Sequence, residues 1–342
     1  MDVEVVPGSY MDDLYDNTEE KVNTFLNIVH HQFHHGMFCQ VASAVLTLKN
    51  SVIGSQRAKD NIIEQGLLAR LIHLLVDPDI TSKIKTDVVY ILGSIINGSE
   101  SNFKSLTEAD ISSLLLGGVT SPDPKLVCAC LWCLQSVVQY KMPVYTDQDT
   151  EPASPQCQVI YSDPGIVPHL ISLLETDTSA TQQIAVCNIL SCCCRSAEQQ
   201  NSLVAAGVLG SLSAVLCSHL AGVELAGLQC LATIVYSNPS TGTAAINTRH
   251  HGKSLVSQVI QCTGRENCVD TQLAAARVLT CLYRLGVLPD IEESEGVITY
   301  RVLPCLVKTC KKEETTVNRI IAAETLAYLI EVEIFSFYFV PR

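Results

Sequence analysis

Residues 165–174 read Gly165-Ile166-Val167-Pro168-His169-Leu170-Ile171-Ser172-Leu173-Leu174: a small residue, an apolar pair, a proline, then a leucine-rich run. The pattern stands earlier as Gly66-Leu67-Leu68-Ala69-Arg70-Leu71-Ile72-His73-Leu74-Leu75. It returns as Gly207-Val208-Leu209-Gly210-Ser211-Leu212 and, more weakly, as Leu303-Pro304-Cys305-Leu306, with degenerate copies around Leu114 and Val259. The anchors are therefore Leu71, Leu114, Leu170, Leu212, Val259 and Leu306, spaced 43, 56, 42, 47 and 47 residues apart. Self-similarity at a near-fixed period is the signature of stacked repeats, each too small to bury its own apolar face.

A second register checks the first. Between the anchors lie helical runs carrying Leu92, Leu134, Leu190, Leu231, Leu279 and Leu326, at intervals of 42, 56, 41, 48 and 47. The two series drift together. The long interval contains Tyr140-Lys141-Met142-Pro143-Val144-Tyr145-Thr146-Asp147-Gln148-Asp149-Thr150-Glu151-Pro152-Ala153-Ser154-Pro155. That polar, proline-rich stretch reads as a loop insertion of about a dozen residues. A period of ~40–47 residues with two or three helices belongs to the armadillo and HEAT class. Within a unit the apolar spacing is helical: Ile184, Val186, Cys187, Leu190 and Cys194 fall on one face. Loops fall at Val76-Asp77-Pro78-Asp79, Ser121-Pro122-Asp123-Pro124 and Tyr236-Ser237-Asn238-Pro239. The fold expected is all-α: a right-handed α-solenoid of about six to seven armadillo/HEAT-like repeats, the first incomplete.

Composition agrees and narrows the function. Of the 342 residues, 47 % are apolar and 17 % charged, enough to bury a core. Aromatics are only 6 %, so that core must be Leu, Ile, Val, Ala and Cys. With 22 basic against 35 acidic residues the chain carries −13, the wrong sign for nucleic acid. No run reaches the ~18 apolar residues of a membrane span. The first twenty residues carry Asp2, Glu4, Asp12, Asp13, Asp16 and Glu19 without Lys or Arg, unlike a signal peptide. Cytoplasm and nucleus are the expected compartments. There the 16 cysteines, set in runs such as Val127-Cys128-Ala129-Cys130-Leu131-Trp132-Cys133, act as small hydrophobes, and the Asn97-Gly98-Ser99 sequon is without consequence.

Chemical motifs are few. Gly252-Lys253-Ser254 imitates the end of a phosphate-binding loop, but the required glycine five positions earlier is Asn247 and no strand pattern precedes it. His30, His31, His34 and His35 have metal-binding spacing on a helix, yet read better as a solvated segment. Cys130 and Cys133 lack the second pair of a structural zinc site, and Cys192, Cys193 and Cys194 have only Arg195 nearby to lower a thiol pKa. Packing is the reading for both, and no metal or cofactor is expected. The acidic runs Asp12 to Glu20 and Glu292-Glu293-Ser294-Glu295 read as solvated surface. Catalytic signatures are absent, so no enzymatic activity or small-molecule substrate is expected.

Several blocks look more specific than a generic repeat. Leu48-Lys49-Asn50-Ser51-Val52-Ile53-Gly54, Ser121-Pro122-Asp123-Pro124-Lys125-Leu126, Leu303-Pro304-Cys305-Leu306-Val307 and above all Ala323-Glu324-Thr325-Leu326-Ala327-Tyr328-Leu329-Ile330-Glu331 resemble the armadillo scaffold subunits of CTLH/GID-type E3 ubiquitin ligases. The resemblance follows residues about 45–331 in order, insertion included. It implies a non-catalytic scaffold whose partners are other ligase subunits and whose output is proteasomal degradation. It also implies the N-terminal half of that pattern with an unrelated tail, Ile334-Phe335-Ser336-Phe337-Tyr338-Phe339-Val340-Pro341-Arg342, an aggregation hazard if exposed. Three segments follow: 1–35, acidic and His-rich; 36–331, the solenoid, with its insertion at 140–155; and 332–342, a hydrophobic tail outside the repeats.

The third helix of each repeat is the expected interaction surface. Importin-α-like armadillos carry a Trp and, four residues on, an Asn that holds the backbone of an extended peptide. Here the Trp positions are Tyr90, Trp132, Asn188, Gln229, Arg277 and Glu324, and the Asn positions Ser94, Ser136, Cys192, Thr233, Cys281 and Tyr328. Only Trp132 matches, and no amide remains to donate to and accept from a peptide unit. A general nuclear-import receptor is not expected, and the groove reads as a surface for folded partners or for one specific peptide, with Tyr90, Ser94, Trp132 and Ser136 as the candidate contacts. A peptide-binding adaptor of transport or adhesion type and a metal- or redox-responsive protein are the alternatives.

Overall fold

The structure, a computed structural model, describes residues 38–140, 155–175, 178–218, 220–288, 296–311 and 314–338. The histidine group, both acidic runs, the interior of the insertion and the last four residues lie outside the described residues. The chain divides into two units, Met1–Tyr140 and Lys141–Arg342, and the division falls at the expected insertion.

In the first unit, α1 (Phe38–Val52) is followed by two helix triplets: α2 (Gln56–Glu64), α3 (Leu68–Val76), α4 (Ser82–Ile96), then α5 (Glu100–Glu108), α6 (Ile111–Val119), α7 (Pro124–Val138). The anchor motif forms the second helix. In α3 it buries Leu71, Leu74 and Leu75, a three-then-one spacing that keeps all three on one face. The Pro-Asp loop starts the third helix: Asp123 accepts from the Lys125 N–H at 2.9 Å, and Pro124 takes the first turn, where its missing N–H costs nothing. The long third helices stack, α1 on α4 and α4 on α7. First helices are tied by Asn102 Nδ2, which donates to Asp60 Oδ1 at 2.8 Å.

The second unit repeats the plan four times. A short turn, α8 (Pro155–Gln158), and a 3-10 turn at Val159–Tyr161 stand for the first helix before α9 (Ile166–Ser172) and α10 (Ala180–Cys193). Full triplets follow: α11 (Ala197–Ala205), α12 (Val208–Val215), α13 (Ala221–Val235), then α14 (Pro239–Asn247), α15 (Leu255–Cys262), α16 (Val269–Arg284). A π turn, Ile298–Val302, leads into α17 (Leu303–Thr309) and α18 (Thr316–Tyr338). Capping boxes at Ser179/Gln182 and Ser196/Gln199 satisfy the free N–H groups that start α10 and α11. Third helices stack again, α10 on α13, α13 on α16 and α16 on α18. Side-chain amides join neighbouring repeats: Ser213 to Gln258 at 2.8 Å, Asn238 to Gln200 at 2.8 Å, Asn318 to Asp270 at 2.8 Å.

The helical solenoid expected from the spacing is thus present in both units. Each anchor lies on a second helix and each register leucine on a third. No aromatic side chain is among the fully buried hydrophobic residues described. Three details differ. At the degenerate copy the buried residue is Leu115, one position beyond the expected Leu114. A two-residue hairpin, β1 (Arg249–His250) with β2 (Lys253–Ser254), separates α14 from α15. His251 and Gly252 both have positive φ, 48° and 79°, as a tight hairpin turn demands. So a strand does precede Gly252-Lys253-Ser254, contrary to expectation. Asn247 nevertheless closes α14 and donates to the Thr243 carbonyl, leaving no glycine loop to wrap a phosphate. Lastly, α18 continues to Tyr338, through residues expected to leave the repeat. Nothing from Thr316 to Tyr338 is Gly or Pro, and extending a formed helix costs far less than starting one.

Candidate interaction surface

Stacking of α1, α4 and α7 brings together side chains from three repeats. Lys49 of α1 pairs with Asp87 of α4, both largely shielded from solvent, and its ammonium lies 6.0 Å from the Tyr90 ring centroid. The Tyr90 ring meets the Trp132 indole of α7 at 5.7 Å between centroids, tilted by 50°. That separation and tilt are in the favourable range for an aromatic pair. The indole keeps 36 % of its surface exposed, the only Trp in the chain and one of few large apolar groups so placed. It owes its seat to Gly93, where a Cβ would approach within 2.1 Å of the indole Cζ3. Burial, reinforced by Cys128 and Asp87, pushes the Tyr90 phenol above its usual pKa, while Lys49 pulls it down. The phenol therefore stays protonated, a neutral donor.

The four expected contact residues do not share one role. Tyr90 and Trp132 form a joined, partly exposed ridge. Ser94 and Ser136 turn inward along their helices, donating to the Tyr90 and Trp132 carbonyls at 2.8 and 3.1 Å. A serine bonded four residues back is satisfied locally and has no donor left for a partner. The chemistry offered is an apolar, π-rich surface, beside which the Lys49–Asp87 ion pair is already closed.

The corresponding face of the second unit is built otherwise. Thr233 donates to the Gln229 carbonyl at 3.1 Å and meets Ser191 Oγ at 3.0 Å. Cys281 is buried. Tyr328 lies parallel to Tyr236 at 5.1 Å and 22°, with the Arg284 guanidinium 3.6 Å over its ring and Ser237 Oγ 3.2 Å from its hydroxyl. Thus Tyr328, at an Asn position, closes on the C-terminal ends of α13 and α16. Sequence reasoning did not foresee this stack.

Thiol chemistry is governed by burial. All sixteen cysteines are free, and most are buried or half-buried. Burial pushes Cys130, Cys187 and Cys194 up to about 12, and Cys262 and Cys281 to about 11. Cys193 is raised first by its hydrogen bond with Cys157, then by burial. Around Tyr161, whose hydroxyl donates to the Cys193 carbonyl at 3.2 Å, stand Cys157, Cys193, Cys194 and Cys230. Among the described residues no group of three His, Cys, Asp or Glu could hold a metal ion, and no helix is long and apolar enough to cross a membrane.

Solved structures share this architecture. An engineered protein studied by crystallography superposes with a TM-score of 0.63 at 22 % identity, covering 84 % of this chain and 64 % of the other. A designed armadillo repeat protein gives 0.57 at 16 %, covering 76 % and 98 %. Another, in complex with the peptide (KR)4, gives 0.58 at 17 %, covering 77 % and 98 %. At such identities they bear on fold alone. The chain has the armadillo-repeat fold. It is homologous to armadillo repeat-containing protein 8, being 33 % identical to that of Mus musculus over 295 residues, 86 % of this chain and 41 % of the mouse protein. The Xenopus laevis protein is 33 % identical over 295 residues and the Danio rerio protein 33 % over 294. The chain spans about two fifths of the length of these relatives. No family model matches it.

Proposed function

We propose that this armadillo-repeat protein is a non-catalytic interaction scaffold within a multi-subunit E3 ubiquitin ligase of the CTLH/GID type, in cytoplasm and nucleus. Its partners are other ligase subunits, and its output is degradation of substrates that those subunits select. A stacked-repeat protein presents extended surface and holds several chains at fixed separation. Homology to armadillo repeat-containing protein 8 and the armadillo architecture support the scaffold reading. The observation that carries the docking surface is Trp132, seated on Gly93, leaning on Tyr90 and still partly exposed. Trp and Tyr are among the side chains that dominate binding energy at protein interfaces.

The test is an affinity pull-down from mild lysate with mass spectrometry, comparing the wild-type chain with Trp132→Ala and Tyr90→Ala. Recovery of ligase core subunits by wild type, and their loss from the variants at unchanged folding, is expected. If wild type brings down no ligase subunit, the reading falls. A second reading, a groove for basic linear peptides, has in its favour the acidic net charge and the (KR)4 complex of the designed relative. Against it, both serines in place of the peptide-holding Asn are bonded within their own helices. Binding of labelled (KR)4 at micromolar concentration would turn the choice towards it.

A further inference from the structure

Charge is scarce through the middle of the second unit. From residue 199 to 264 the only Asp, Glu, Lys or Arg side chains are Glu224, Arg249 and Lys253. Glu224 is buried and acts on the Cys262 thiol, at the end of α15 away from the hairpin. Both cations stand on the β1–β2 hairpin, which reads Arg249-His250-His251-Gly252-Lys253-Ser254. Arg249, His251 and Lys253 are exposed, and His250 is half-buried. The hairpin leans on α12 through β1 and runs from β2 into α15, and neither helix carries a charged side chain. Nor does α14, which leads into it. Among the described residues no acid pairs with any of the four basic side chains. A chain of net charge −13 thus raises an all-basic tip on a neutral base.

Two features set this tip apart from ordinary solvated surface. Solvation is served by either sign of charge, and acids outnumber bases in this chain by 35 to 22. The turn also holds His251 at φ 48°, where asparagine, aspartate or glycine is the usual occupant. Its ring meets that of His250 edge-on, at 4.1 Å between centroids and 70°. His250 stands directly opposite Lys253 in the ladder, and like charges so placed repel. An anionic partner relieves that crowding.

The register says which anion fits. Arg249 pairs with Ser254 and His250 with Lys253, so the Arg249 and Lys253 side chains leave on opposite faces of the hairpin. A single phosphate is held by donors that converge on it, whereas carboxylates spaced along an extended chain can reach both sides of a tip. Nucleic acid is disfavoured by the net charge. We propose that the β1–β2 hairpin is a docking element for an extended, Asp/Glu-rich segment of a partner protein. It is separate from the Tyr90–Trp132 ridge, which belongs to the first unit. Exposed ion pairs are individually weak, so the dissociation constant is on the order of 10–100 μM at low salt.

Fluorescence anisotropy of a labelled octaglutamate peptide, titrated with the full chain, reads the outcome. Saturable binding is expected at low ionic strength, weakening several-fold at about 200 mM salt as the charges are screened. Arg249→Ser with Lys253→Ser should weaken it at least about tenfold, with far-UV spectrum and melting point unchanged. Arg265→Ser, which removes an exposed cation outside the hairpin, should leave it unaltered. Carbodiimide coupling of peptide carboxylates to neighbouring amines locates the contact: Lys253 should be the lysine joined, and Lys253→Arg should still bind without coupling there. No saturable binding, binding indifferent to the double substitution, or coupling that spares Lys253 would overturn the proposal. So would inorganic phosphate or single-stranded RNA binding more tightly than the peptide. Binding that appears only when Glu292, Glu293 and Glu295 are all changed to Gln would make the chain's own acidic run the occupant, and the proposal would fall.

Discussion

The indole of Trp132 occupies the space that a side chain at Gly93 would fill: a Cβ there would lie 2.1 Å from Cζ3. Two repeats are keyed together by the absence of one methyl group. Gly93→Ala sets two effects against each other. Alanine favours a helix interior over glycine by about 1 kcal/mol. Forcing the indole from its seat costs about 1–3 kcal/mol by overpacking and also breaks its meeting with Tyr90. Clash outweighs propensity, and urea unfolding of Gly93→Ala should show a net loss of about 1–2 kcal/mol. In the double variant with Trp132→Ala the clash has no object, so the alanine should become neutral or stabilising. A non-zero coupling in that double-mutant cycle is the readout.

Trp132 was legible from the register leucines because it sits two residues before Leu134 on a third helix. Its seat was not, since Gly93 and Trp132 meet only once the repeats stack. The helical class and the repeat period were readable, because burial at 3.6-residue spacing repeats with a period that chance does not give. The polar pairs that tie repeats were missed although a signal existed: Asp60 and Asn102 are 42 apart, Ser213 and Gln258 45, Asp270 and Asn318 48. Each separation is one period. A polar residue recurring at the repeat distance on equivalent helices is a contact forecast. Tyr328 and Ser237, 91 residues apart, are about two periods apart and meet across a whole repeat, a contact that a one-period register does not point to.

Buried thiols make the fold sensitive to alkali. Cys130, Cys187 and Cys194 titrate near 12 in the folded chain against 9.0 unfolded, because burial disfavours the thiolate. Between those values the native state holds more protons than the unfolded one, so stability falls as pH rises. The contribution is intact below pH 9.0 and lost progressively towards about 12. Melting temperature followed by circular dichroism should be flat just below that window and decline through it. At neutral pH a thiol reagent should modify the exposed Cys39, Cys268 and Cys310 first and leave Cys187 untouched until the chain unfolds.

Ser213 has no exposed surface, and its hydroxyl is given to Gln258 Oε1 at 2.8 Å, while Gln258 Nε2 points to Cys217 Sγ at 3.2 Å. Ser213→Ala strands a buried amide oxygen, which costs about 1–3 kcal/mol. Replacing both partners, as Ser213→Ala with Gln258→Leu, removes the orphan and should cost less than Ser213→Ala alone. Denaturant midpoints of the three chains decide it. If the double variant is the least stable, the bond rather than the stranded oxygen is what matters.

Tyr328 offers the sharpest division between ring and hydroxyl. Its ring is held between Tyr236 and Arg284, while its hydroxyl faces Ser237 at an exposed position. Stacking is worth about 0.5–1.5 kcal/mol beyond area burial, and a guanidinium over the ring about 0.5–1 kcal/mol more at a part-exposed site. A solvent-accessible hydrogen bond contributes little, since water replaces either partner. Tyr328→Phe should therefore shift stability by no more than about 0.5 kcal/mol, and Tyr328→Ala should cost about 1–2 kcal/mol. Only the alanine variant should lose the near-ultraviolet dichroism of the paired tyrosine rings. A phenylalanine variant as damaged as the alanine one would put the weight on the Ser237 hydrogen bond and remove it from the stack.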